Sequence, residues 1–177
     1  EHPNLNHLTG ISRIEEERHV WLDRFTVRNL EILHSNNEGG KSLLQVLDQT
    51  LSPMGARMLR KWLVLPLKEI QPIEERLQFV ELLIRDPELS KHLAVLIRQI
   101  GDLERLIAKV ALGKISPREI MHIRKALIAI SQIKLLLNDG NEAPFKKLAD
   151  QLHPCELIKE RIGQEIREDA PPVAAKG

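Results

Sequence analysis

The sequence predicts an all-α fold: a multihelical core with long helices, and at most a short strand near the N-terminus. Three observations carry that expectation. The first is composition. Hydrophobic residues make up 42% and charged residues 29%, enough apolar side chains to close a core. Aromatics are only 3%, with no Tyr, so Leu, Ile, Ala and Val dominate beside Glu, Lys and Arg, a bias toward packed helices over sandwiches or barrels. The second is period. Leu89, Leu96, Leu103 and Val110 recur seven apart, with Leu93, Ile100 and Ile107 interleaved, which is the seam of helices buried on one side. The third is punctuation: Ser52-Pro53 and Ser116-Pro117 set a capping hydroxyl ahead of proline, the order that opens a helix.

Taken along the chain, residues 1–18 are polar, with Pro3, Gly10 and the run Glu15-Glu16-Glu17-Arg18, and suit a leading strand or linker. Val20-Trp21-Leu22 is short enough for one strand, which by itself makes no sheet. Thr26 to Leu33 predicts a short helix, and Asn36-Asn37-Glu38-Gly39-Gly40 a loop. Ser42 then suits an N-cap for residues 43–47. The helix opened by Ser52-Pro53 carries Met54, Met58, Leu59 and Trp62 and ends before Pro66; Trp62, in phase with Met58, is expected in the core. Pro72 starts the next, with Ile73, Leu77, Val80 and Ile84 at helical spacing, ending near Pro87. Gly101-Asp102 interrupts the seven-residue seam, leaving one bent helix or two, the second capped by Asp102. Ser116-Pro117 opens a helix of about six turns through Ile120, Ile123, Leu127, Ile130 and Leu137, which Asn138-Asp139-Gly140 stops. A less regular pair covers 143–152 and 155–167. The absence of strand alternation after residue 25 completes the all-α reading.

The charge balance argues against a free-standing DNA-binding module: 26 basic residues meet 25 acidic ones. The single Cys155 cannot close an internal disulfide and lacks the partners of a thiolate zinc site, which fits a reducing, cytoplasmic setting. No apolar run reaches the roughly 18 residues of a membrane span. The chain begins without Met and stops at a Gly, and reads as a segment of a longer protein.

Four patterns could carry chemistry. Gly40-Lys41-Ser42 resembles the end of a phosphate-binding loop, but Ser35 stands where the first glycine belongs and no hydrophobic strand leads in; a turn and a Ser-capped helix explain it. The histidines, at 2, 7, 19, 34, 92, 122 and 153, never fall four apart on a helix, and surface positions account for them. Glu15-Glu16-Glu17 and Glu74-Glu75 suit solvated faces. Basic residues cluster as Arg57, Arg60 and Lys61, then as Arg118, Arg124, Lys125 and Lys134. Arg118, Arg124 and Lys125 are the candidate DNA-phosphate contacts, weighed against a solvated face with ion pairs. No catalytic, cofactor-binding or metal-binding residues are assigned.

The stretch from Ser42-Leu43-Leu44 through Leu47-Asp48, Thr50, Met54-Gly55, Arg57, Leu59 and Trp62-Leu63 to Pro66-Leu67 closely resembles the core signature of the MutS family of DNA mismatch repair proteins. Ser52 departs from the family's Thr and keeps the hydroxyl. Thr26 to Ile32, Ile73-Glu74-Glu75-Arg76-Leu77, Gly101-Asp102-Leu103-Glu104-Arg105 and Asp169-Ala170-Pro171-Pro172 resemble further family landmarks in the same order.

The resemblance implies that residues 1–19 are the tail of a connector domain or a linker. Residues 20–172 would form the helical core and lever, and 173–177 the start of the link to a clamp domain. It implies a non-enzymatic segment of a mismatch repair ATPase, with ATP and Mg bound elsewhere in the parent, which relays nucleotide state to the DNA grip. Its partners would be the connector, clamp and ATPase domains, DNA through the parent, and a second copy in a homodimer, with no membrane. The outgoing lever would be the helix from Pro117 to Leu137 and that near 155–167, and surface left open by a returning lever would favour self-association. The family's mismatch-reading Phe-x-Glu motif is expected upstream, with no counterpart here. The alternative is a sequence-tolerant DNA-binding helical module.

Overall fold

A computed structural model describes residues 18–169, so the expectations for 1–17 and 170–177 lie outside the described residues. Nine helices occur in the described part. They are α1 (Arg24–Asn29), α2 (Leu43–Leu47), α3 (Pro53–Val64), α4 (Ile70–Arg85), α5 (Pro87–Ile100), α6 (Leu103–Ala111), α7 (Pro117–Asp139), α8 (Ala143–Gln151) and α9 (Glu156–Glu165). No helix among the described residues is long and apolar enough to cross a membrane.

The starts follow the sequence closely because each is a local hydrogen-bond event. Ser52 accepts from Gly55 N, and Ser42 and Ser116 each complete a capping box, with Gln45 and Glu119 respectively. Asp102 caps a new helix after Gly101, so the long seam is two helices, not one bent one. Pro72 lies inside the first turn of α4 instead of opening it.

Three expectations change. The helix predicted over Thr26 to Leu33 stops at Asn29, because Glu31 takes a left-handed φ of 49° and turns the chain. That turn aims the Glu31 and Ile32 carbonyls at the first two N–H groups of α2, at 3.0 and 2.9 Å, so a tertiary contact satisfies donors the helix cannot. The N-terminal strand shrinks to a single antiparallel bridge between His19 and Leu67, flanked by Val20 N donating to Pro66 O at 2.8 Å. Trp62 is not a core residue: it is 41% exposed and carries the Arg76 guanidinium 3.6 Å above its ring.

The core forms around α7. Unlike a surface helix, α7 spreads its buried residues widely round its axis, from Met121, Ile123, Ala126 and Leu127 to Ala129, Ile133 and Leu137. It packs most extensively on α5 and also touches α6, α8 and α9, while α4 leans on α5 and α8. Leu93, Ile133, Leu137, Phe145 and Ala149 make one buried cluster. The chain does contain one Phe-x-Glu triplet, Phe79-Val80-Glu81, against expectation. It lies within α4, and Phe79 meets Phe145 edge-on at 5.4 Å, a packing role.

Candidate functional site

The apolar stripe of α5 explains why α7 is fixed. Leu89, Leu93, Leu96 and Ile100 keep the predicted spacing and lie on the core cluster. Beyond Gly101 the seam fails: α6 has no fully buried residue, and Ile107 and Val110 are exposed. Periodicity registers that a helix has an apolar side. It does not register what lies opposite.

The three candidate phosphate contacts part company on α7. Arg118 and Lys125 are seven apart and share one exposed face, with His122 between them. Neither cation has an ion-pair partner among the described residues. Arg124 points roughly 100° away round the helix. Its guanidinium lies across α9, so close to Gly163 that a Cβ there would stand 2.7 Å from Nε, and Nη1 is 3.7 Å from a Glu168 carboxylate oxygen. A side chain at 163 would force the guanidinium to shift. The contact joins positions about forty residues apart, and no local pattern announces it.

The other basic residues divide likewise. Arg57 forks onto Asp102, with bonds of 2.7 and 3.1 Å, and donates from Nε to Glu104 at 3.0 Å. Those bonds hold the Asp102 carboxyl below its usual range. Lys134 donates to the Leu152 carbonyl at 2.9 Å, closing the end of α8. Arg60 and Lys61 stay exposed. On α9, Lys159 pairs with Glu156 and reaches Ser131 Oγ of α7 at 3.0 Å. The Lys159 ammonium and Ser131 lower the Glu156 carboxyl, the ammonium more strongly.

Gly40-Lys41-Ser42 does not assemble a phosphate cradle. The Ser42 side chain is fully buried and committed to the capping box, accepting from Gln45 N at 3.3 Å, while Ser42 N donates to Gln45 Oε1 at 2.9 Å. Between α4 and α8 runs an open groove of about 880 Å³, lined by Trp62, Pro72, Phe79, Ala143, Pro144 and Leu148, with Glu75 and Lys147 3.3 Å apart at its edge.

Comparison with known proteins turns this geometry into a family. The MutS domain III family model matches residues 25–177. This chain belongs to the MutS domain III family. The chain is 47% identical, over all 177 residues, to the DNA mismatch repair protein MutS of Parabacteroides distasonis, covering 20% of that protein. It is 48% identical over 177 residues to its counterpart in Cytophaga hutchinsonii, covering 21% of it, and 48% over 176 residues to that in Christiangramia forsetii, covering 20%. The chain thus spans about a fifth of the length of the curated relatives it matches. Within the MutS domain III frame, Arg57 and the Gly101-Asp102-Leu103-Glu104 landmark are explained together: two separated signature elements meet in one ion-pair cluster.

Proposed function

We propose that this chain is the non-catalytic core-and-lever segment of a MutS-type mismatch repair ATPase, and that it relays nucleotide state to the grip on DNA. ATP and Mg would bind in another domain of the parent, and the connector, clamp and ATPase domains would be its immediate neighbours. The parent would act on mismatched DNA in the cytoplasm as a homodimer. The observation that carries the reading is α7, a rod about 35 Å long on which α5, α6, α8 and α9 all pack. A rigid element shared by so many neighbours can move as one body and couple distant sites. Large apolar side chains left at the surface, among them Leu135 at 69% and Leu157 at 83% exposure, support a setting in which further protein covers them.

The test is a four-residue Gly-Ser insertion after Glu165 in the full-length protein, outside the packed cluster. Basal ATP turnover and mismatch binding should persist while ATP-driven release from DNA slows at least tenfold. Release at the normal rate would overturn the relay.

A second reading, a sequence-tolerant DNA face on α7, is favoured by Arg118 and Lys125 standing unpaired on one exposed side. Arg118→Glu with Lys125→Glu should then reduce the salt slope of duplex binding by about two. An unchanged slope removes that face from consideration.

A further inference from the structure

Helix α6 is built as a separate part. Both its ends are closed by its own chain: Asp102 accepts from Arg105 N at 3.4 Å, and at the other end Gly113 N bonds Val110 O and Lys114 N bonds Lys109 O, each at 2.9 Å. Gly101 precedes its N-cap and Gly113 follows its C-cap Leu112, with φ of +65° and +63°, conformations that cost glycine little and other residues more. It buries no residue fully; Leu103 and Leu106 are half-buried, and Ile107 and Val110 are exposed.

Besides its packing on α7, two charged ties hold it. At its start, Arg57 of α3 grips Asp102 and Glu104. Near its end, Lys109 pairs with Glu119 of α7. Each tie uses a carboxylate already fixed by a helix cap: Asp102 caps α6 itself, and Glu119 accepts from Ser116 N at 3.0 Å in the capping box of α7. A carboxylate held in place loses little further freedom when a cation arrives, so less ordering entropy opposes these ties than opposes a pair of free side chains.

We propose that α6 is a hinged latch, a rigid helix that swings on Gly101 and Gly113 and is kept docked between α3 and α7 by the Arg57–Asp102/Glu104 tie to α3 and the Lys109–Glu119 tie to α7. Released, it presents Leu103, Leu106, Ile107 and Val110 as one continuous apolar stripe at helical spacing. A helix this short is marginal without its support, so undocking registers as lost amide protection.

Hydrogen exchange read by mass spectrometry on the full-length protein tests this. Arg57→Met should speed exchange in residues 103–111 roughly tenfold while the centres of α5 and α7 keep their protection. Lys109→Met should do the same more weakly. The unmodified protein taken from low salt to about 1 M should show a several-fold increase in the same segment, since ion pairs are then strongly screened. Protection of 103–111 that ignores both salt and Arg57→Met overturns the latch. So does a loss spread evenly over α5, α6 and α7.

Discussion

The stretch from residue 18 to 68 and the α4–α9 body beyond it are stabilised by different physics. In the first, only Ile32 and Ser42 are buried, and short-range hydrogen bonds do the organising. Asp23 caps α1 through Thr26 N at 2.7 Å, Asp48 takes the Thr50 hydroxyl at 2.6 Å, and Glu31 accepts from Asn36 N at 2.9 Å. In the second, ten apolar residues from Leu93 to Ala149 are buried and α7 is packed by four neighbouring helices. The signature residues of the family concentrate in the first region, the hydrophobic core in the second. Family identity and fold stability are therefore written largely in different places.

That contrast can be broken by mutation. The largest effect is expected at Leu137→Ala in the body, where the side chain is 1% exposed: about 2–5 kcal/mol from lost burial and a cavity, read by urea denaturation. Met58→Ala in the first region, at 54% exposure, should cost under about 0.5 kcal/mol by the same measurement. Equal losses at the two sites would dissolve the comparison.

Within the first region a polar position should matter more than an apolar one. Ser42→Ala removes a complete capping box in the first region and is expected to cost about 1 kcal/mol, more than Met58→Ala. Smaller still is Arg76→Met, which removes the cation from the Trp62 face at about 0.5–1 kcal/mol; a red shift of Trp emission would report the newly wetted ring.

The least visible effect at neutral pH concerns Glu119, whose carboxyl is pulled down to about 2, mostly by the Lys109 ammonium and then by Ser116 N. A folded value below the unfolded one means the contribution is fully present above about 4.5 and is lost as pH falls toward 2. Glu119→Gln should flatten the stability profile across that window, measured as the urea midpoint at each pH. A profile unchanged by the substitution would show that the α6–α7 tie contributes nothing to folding.

Much of the fold was legible because its signals are local. Ser42, Ser52, Asp102 and Ser116 cap where their chemistry predicts, since a cap needs only a side chain and an amide three residues on. Trp62 was misplaced because phase on a helix says which residues share a side, and Trp62 and its neighbour Met58 both face outward on that side. The basic residues were grouped by sequence proximity, yet Arg57, Arg124 and Lys134 are consumed by partners on other helices, leaving Arg118 and Lys125 as the pair with a common open face.

The sequence alone determined most of the helices, the capped starts at Ser42, Ser52 and Ser116, and the family resemblance, because caps, prolines and a contiguous signature act over a few residues. Only the tertiary structure decided that α7 is the central axis, that the apolar seam divides at Gly101, and that Arg57 and Lys109 tie α6 to α3 and α7. Those outcomes depend on which surfaces meet across forty or more residues, and a one-dimensional pattern of apolar and charged side chains does not record its partners.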